Sequence, residues 1–132
     1  MITTLNRLAP HVLSLLRVMS ALLLLQHGTT KILGYPATQM SGVSLMTPAG
    51  MAGVIELIGG LLLLVGLFSR ATAFVLSGMT AVAYFYAHAG NAFHPIVNGG
   101  ELAALYCFVF FYLVFAGPGP WSVDALRGSG KA

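Results

Sequence analysis

The second apolar stretch of the chain reads Met51-Ala-Gly-Val-Ile-Glu56-Leu-Ile-Gly-Gly-Leu-Leu-Leu-Leu-Val-Gly-Leu-Phe68. It approaches the length of a membrane span, because a spanning helix needs roughly 20 apolar residues. Its one charged residue is Glu56. An acidic side chain at the centre of a membrane helix costs roughly 2.5–3.5 kcal/mol on insertion scales. We therefore expect Glu56 to have a partner, a ligand or a proton to handle.

The composition excludes an ordinary soluble domain. Hydrophobic residues make up 58% of the 132 residues, and Asp, Glu, Lys and Arg only 7%, whereas soluble domains carry about 25% charged residues. We predict an integral membrane protein with one domain, residues 1–132, in contact with the lipid bilayer. The net charge of +3 comes from scattered basic residues, which are typical of membrane-helix flanks and do not indicate nucleic-acid binding. Cys107 is the only cysteine, so no internal disulfide is expected.

Four segments are apolar and long enough to predict an all-α, four-helix membrane bundle. Their expected bounds are about 11–33, 48–68, 70–88 and 99–116. The first carries Arg17 and is followed by no Ala-x-Ala site, so we expect it to remain in the protein rather than to be cleaved as a signal peptide. The link between the second and third segments is very short, which predicts an antiparallel hairpin.

Basic residues predict the orientation of these spans. Arg7, Arg70, Arg127 and Lys131 all fall on one side, whereas the connections 34–47 and 89–98 contain no Lys or Arg. The positive-inside rule then places both termini in the cytoplasm.

With this orientation, polar side chains from all four spans converge on the outer half of the bundle. They are His27, Lys31, Glu56, His88 and Glu101, with Gln26, Asn91, His94 and Asn98 nearby. His27 and Lys31 are four residues apart, so they share a helix face. Arg17 lies in the inner half of the first span, where its side chain would reach toward Glu56 or extend to the cytoplasmic headgroups. The expected partner of Glu56 is therefore Arg17 or the His27–Lys31 face.

Each of these residues also has a structural interpretation. Arg17 and Glu56 would form a buried ion pair, and Lys31 would anchor the interface. Glu101 would place a negative charge at the positive end of the fourth helix. His88 and His94 would lie at the interface, and the glycines of the second span would serve close helix packing.

The pattern resembles the DoxX family of small four-span membrane proteins. The residues that carry the resemblance are Arg17-x9-His27-Gly28-x2-Lys31, Glu56-Leu-Ile-Gly59-Gly60, Gly66-Leu-x2-Arg70-x-Thr-Ala, Met79, Ala81, Asn98-Gly-Gly-Glu101-Leu-Ala and Gly117-Pro-Gly119-Pro-Trp121-Ser-Val-Asp124. The resemblance covers nearly the whole chain. It implies a four-helix bundle and an association with redox processes, including quinone chemistry. We expect a multi-pass protein of the bacterial inner membrane.

The leading hypothesis is a quinone-binding subunit of a membrane oxidoreductase. His27 would donate to a quinone carbonyl with help from Lys31 or His88, Arg17 would line the site, and Glu56 with Glu101 would pass protons to the outer face. The sequence contains no flavin or nicotinamide fingerprint and no iron–sulfur cysteines, so a partner protein would supply electrons. A haem held by His27 and His88 is disfavoured because the two residues differ in expected depth by about 6 Å. No metal site is predicted, because the candidate ligands lack a dedicated spacing.

The competing hypothesis is a protein without catalytic activity. It would be a membrane scaffold, an assembly factor or a small-solute carrier, and the buried charges would then be structural. A four-span carrier would need to oligomerise, and the glycine-rich second span would supply the interface.

Overall fold

The computed structural model describes residues 1–128 and shows an all-α fold with no strand among them. Lys131, one of the basic residues used for orientation, lies outside the described residues. The helices are α1 (Ile2–Leu33), α2 (Pro48–Val65), α3 (Ser69–Ala83, continued by a π-helical turn, Tyr84–His88), α4 (Pro95–Asn98), α5 (Glu101–Ala116) and α6 (Val123–Leu126). Helices α1 and α2 are long and apolar enough to cross a membrane, and α5 is a shorter apolar helix.

Helix α1 is nine residues longer than expected at its amino end. It begins at Ile2 rather than at His11 and runs through Pro10. Proline lacks one backbone N–H, but its fixed φ angle is helical. The first turns of α1 are exposed along their whole length, so that no packing forces the helix to stop at Pro10.

A left-handed turn makes the hairpin between α2 and α3. Helix α2 ends at Val65, three residues before the expected boundary, because Gly66 takes a φ of 73° as its C-cap. This conformation is readily adopted only by glycine. Phe68 follows with a φ of 51°, and α3 begins at Ser69.

Glycines let α1 and α2 pack closely. A Cβ added at Gly28 would lie 2.7 Å from the backbone nitrogen of Leu57, and one at Gly60 would lie 2.8 Å from the side chain of Leu25. The pairing of residue 28 with 57 and of 25 with 60 makes the two helices antiparallel. The close-packing interpretation of the second-span glycines is thus confirmed for Gly60 within the chain.

Helices α3 and α5 form a second tightly packed pair. Helix α3 packs on α5, α2 joins the two pairs through α3, and α1 touches α5 at only a few places. The Ser77 hydroxyl donates to the Cys107 carbonyl at 2.8 Å across the α3–α5 contact. The buried core is Ala21, Leu24, Leu63, Ala73, Leu76, Tyr106, Phe110 and Leu113.

Large apolar side chains cover the outside of the helices. On α5 alone, Leu105, Phe108, Phe111 and Phe115 are all exposed. A contiguous apolar exterior of this kind marks a surface that faces something other than water. It is what the composition predicts for a protein surrounded by lipid.

Candidate functional site

The centre of the candidate site is an ion pair between α1 and α2. The Lys31 ammonium donates to both carboxylate oxygens of Glu56, at 2.9 and 2.8 Å. Only 11% of the Lys31 side chain and 8% of the Glu56 side chain are exposed. Of the two partners considered for Glu56, the His27–Lys31 face is therefore the correct one.

The close approach of the two helices positions this pair. Gly28 lies against the backbone of Glu56 and Leu57, and the stem of Lys31 lies against Gly53, where an added Cβ would come within 2.9 Å of the Lys31 Cβ. Larger residues at either glycine would separate the helices. The small residues around Glu56 thus bring a lysine within hydrogen-bonding distance of the carboxylate.

His27 lies beside the ion pair on a more open side. Its side chain is exposed, and its ring stands edge-on to the Tyr106 ring of α5, with centroids 6.3 Å apart and planes at 87°. The Glu56 carboxylate is within electrostatic range of both the His27 imidazole and the Tyr106 hydroxyl. His27 and Lys31 therefore share one face of α1, as their spacing predicts.

Tyr106 is the site residue that sequence reasoning missed. It is 6% exposed, and its ring stacks on Phe110 with centroids 5.4 Å apart and planes 2° from parallel. Helix α5 is apolar all round, so one tyrosine in it does not stand out. The available signal was the spacing of Tyr106, Phe110 and Leu113, which places all three on the buried face of a helix.

Two predicted residues lie away from the ion pair. His88 ends the π-helical turn, and its Nδ1 is 3.1 Å from the Asn98 carbonyl oxygen, so it ties together the ends of the connection 89–98. Glu101 is exposed at the first position of α5. Within residues 1–128, neither side chain is hydrogen-bonded to Lys31 or Glu56.

The predicted Arg17–Glu56 pair is wrong. Arg17 is 1% exposed, and its guanidinium donates to the carbonyl oxygens of Pro118 and Trp121, the latter at 2.6 Å, with a longer contact of 3.5 Å to Leu64. Glu56 packs at the level of Gly28, which is eleven residues or about 16 Å along α1 from Arg17. An arginine side chain does not cover that distance. Burial likewise contradicts the alternative that Arg17 extends to the headgroups.

Arg17 instead holds a folded segment at the opposite end of the molecule. We call residues 117–124 the C-terminal clasp, because they contact α1, α2 and α3. Ser14 accepts a hydrogen bond from the Trp121 backbone N–H at 3.2 Å. The Asp124 carboxylate accepts from the backbone N–H groups of Phe68 and Ser69, at 3.0 and 2.8 Å, at the start of α3.

Charges in and beside the clasp match the helix ends they contact. Burial alone would raise the pKa of Asp124, but the hydrogen bonds from Ser69 and Phe68 and the charge of Arg127 outweigh it, and the pKa is lowered. Arg70 donates to the carbonyls of Val114 and Phe115, at 2.7 and 2.6 Å, in the last turn of α5. Cations are favourable at a helix C-terminus and anions at an N-terminus. This end of the molecule is therefore a structural assembly.

Comparisons with known proteins agree with this description. Two similar proteins are an uncharacterized protein of Haemophilus influenzae, 43% identical over 91% of this chain and 93% of its own length, and the inner membrane protein YqjF of Escherichia coli, 29% identical over 83% and 87%. No solved structure matches the chain. The DoxX family model matches residues 12–89. That region is more than half of the chain and contains Lys31, Glu56 and His27, and the chain therefore belongs to the DoxX family of membrane proteins.

Proposed function

We propose that this chain is a four-span inner-membrane protein that binds a quinone-like lipophilic molecule beside the Lys31–Glu56 pair, as a subunit of an oxidoreductase system. The single observation that carries the proposal is a nearly buried ion pair in apolar helices, flanked by an exposed histidine. Ionisable groups at membrane depth usually mark a ligand site or a proton route. DoxX membership supports the membrane location.

The hydrogen-bonding groups of the site suit a quinone. An ammonium has three N–H donors, and Lys31 uses two of them on Glu56, which leaves one for a ligand carbonyl. The imidazole of His27 supplies a second donor through a ring N–H. Carbonyl oxygens need such donors, and the surrounding apolar side chains suit the ring and tail.

Helix lengths support four spans. Helix α3 with its π-helical turn contains 20 residues, or about 30 Å at the rise of an α-helix, and the 16 residues of α5 span about 24 Å. Arg7, Arg70 and Arg127 lie at the N-terminal, hairpin and C-terminal ends, which favours a cytoplasmic location for both termini.

Reduction of a bound quinone would take up two electrons from a redox-active partner protein and two protons. Glu56 would handle protons in the site, because its carboxylate is bonded to Lys31, on the helix face that also carries His27. Glu101 stays a prediction as a proton acceptor at the outer end of α5, and His88 stays a prediction as an assisting donor.

The proposal is tested by measuring the affinity of the detergent-purified protein for a short-chain benzoquinone by isothermal titration calorimetry. His27→Ala should weaken binding about fivefold to tenfold, the value of one neutral hydrogen bond. Glu56→Gln should weaken it by a similar factor, because Glu56 holds the Lys31 ammonium in place. His94→Ala is the matched control, because His94 is exposed and packs on Phe93. No saturable binding to the unmodified protein would refute the proposal.

A second candidate is a scaffold or carrier in which the ion pair is structural. The observation that favours it is that Lys31 engages both oxygens of Glu56, so the pair largely satisfies itself. The glycines expected to mediate contacts between copies pack inside the chain. A homo-oligomer through α2 would therefore use exposed apolar side chains such as Ile58 and Leu61. Retention of cellular function by the double variant Lys31→Met/Glu56→Met would select this candidate.

A further inference from the structure

A buried hydroxyl beside the ion pair has no partner. Within residues 1–128, the Tyr106 hydroxyl is buried and makes no hydrogen bond, although buried polar groups in proteins nearly always have a partner. The stacking of the ring on Phe110 holds the side chain in place. The hydroxyl therefore has an unused donor at a fixed position.

The groups around this hydroxyl belong to the candidate site. The His27 ring meets the Tyr106 ring edge-on, and the Glu56 carboxylate lies within electrostatic range of the hydroxyl. Lys31 is already bonded to both Glu56 oxygens. A ligand that accepts a hydrogen bond from Tyr106 would thus also lie near His27 and the remaining donor of Lys31.

Among the packed pairs α1–α2, α2–α3, α3–α5 and α1–α5, the contact between α1 and α5 is the loosest. These two helices touch at few places, whereas α1 packs along α2 and α3 along α5. We call this line the α1–α5 seam. His27 on α1 and Tyr106 on α5 face each other across it. Separation of the helices here would disturb less packing than separation at the other contacts.

A different groove provides a contrast. Helices α2 and α3 form a groove of about 320 Å³ lined by Val54, Ile55, Ile58, Gly59, Leu62, Ala71, Thr72, Val75 and Leu76. Thr72 is the one polar side chain in that lining. The groove would hold an acyl chain, but its lining offers one side-chain donor, the Thr72 hydroxyl, where a quinone ring has two carbonyl oxygens.

We propose that Tyr106 is a ligand-binding residue of this site, which donates its O–H to a carbonyl oxygen of a planar lipophilic ligand that enters from the bilayer through the α1–α5 seam. The inference rests on the proposed function for the class of ligand. It adds α5, from the α3–α5 pair, to a site otherwise formed by α1 and α2. It also adds a route by which the ligand reaches the site, and neither addition follows from Glu56 or His27 alone.

The first experiment compares Tyr106→Phe with the unmodified protein. The substitution removes the hydroxyl and keeps the ring that stacks on Phe110. The Kd for the short-chain benzoquinone should rise about fivefold to tenfold, the value of one neutral hydrogen bond. Tyr112→Phe on the same helix is the control, because Tyr112 is 56% exposed and should leave the Kd unchanged. An unchanged Kd for Tyr106→Phe would overturn the inference and leave the proposed function standing.

The second experiment locates the ligand with a photoreactive azidoquinone and peptide mass spectrometry. Labelling should fall on α1 near His27 and on α5 near Tyr106, and excess unlabelled quinone should suppress it. Labelling confined to the α2–α3 groove would overturn the assignment of the seam. Absence of saturable labelling anywhere would overturn the proposed function and this inference with it.

Discussion

Removal of Lys31 alone should destabilise the protein far more than removal of both partners of the Lys31–Glu56 pair. Lys31→Met leaves the Glu56 carboxylate in apolar surroundings, about 12 Å from the start of α2 by helix rise. Breaking a buried ion pair costs about 3–5 kcal/mol. We expect a loss near 3 kcal/mol, the lower end of that range, because 8% of the Glu56 side chain stays exposed.

The opposite substitution should cost less. Lys31 lies two residues before the end of α1 at Leu33, so in Glu56→Met its flexible chain can turn toward the headgroups. We expect a loss of about 1 kcal/mol. The double variant Lys31→Met/Glu56→Met buries no charge, and such replacements are often neutral, so it should lie within about 1 kcal/mol of the unmodified protein. The resulting coupling energy is about 3–4 kcal/mol.

The assay is reversible unfolding in mixed micelles by titration with sodium dodecyl sulfate, followed by far-ultraviolet circular dichroism. The four proteins form a double-mutant cycle. A coupling energy below about 0.5 kcal/mol would show that the two side chains act independently and would refute the ion pair as the source of stability. A larger loss of stability for Glu56→Met than for Lys31→Met would contradict the argument that Lys31, near the end of α1, reaches the headgroups more easily than Glu56 does.

Three further substitutions test the helix contacts and the clasp. Gly28→Ala should lower the free energy of unfolding by about 1–3 kcal/mol in the same titration, because the added Cβ meets the backbone of Leu57. The control Gly78→Ala should be neutral or stabilising, because its added Cβ meets nothing within 4 Å. Equal effects of the two substitutions would contradict the close approach of α1 and α2 at Gly28. Arg17→Met should cost about 3 kcal/mol or more, because it strands carbonyls of the clasp, and limited proteolysis should then cut residues 117–124; an unchanged cleavage pattern would count against the clasp. Because the folded-state pKa of Asp124 is lowered, its stabilising contribution is complete above the ordinary aspartate pKa and is lost as the pH falls through the lowered value. The difference in Tm between the unmodified protein and Asp124→Asn should therefore shrink below about pH 4, and a constant difference would refute this assignment.

The sequence-based expectations were accurate where they depended on residues close together in the chain, and less accurate where they depended on contacts between distant segments. The helical, apolar character of the chain was confirmed, because composition and hydrophobic runs are local properties. The shared face of His27 and Lys31 was also accessible, since a spacing of four residues fixes it within one helix. The helix ends were less accurate, and the added turns before Pro10 show that a proline need not begin a helix.

The partners of the buried charges could be identified only once the register between α1 and α2 was known. Arg17 and Glu56 both interrupt apolar runs, and opposite charges make a pair between them attractive, but α1 and α2 pack so that the two lie about 16 Å apart along the axis. The clasp could not be foreseen either. Its carbonyl oxygens reach Arg17 only because more than a hundred residues of chain return to the start of α1.

The cost of Glu56 in an apolar helix follows from residue type and surroundings alone, and it indicates from the sequence that a partner exists. Lys31 is chosen as that partner because Gly28 and Gly53 let α1 and α2 approach at one particular register. Tyr106 joins the site because the chain folds α5 back against α1. These are distances between segments far apart in the chain, and periodicity within one helix carries no information about them.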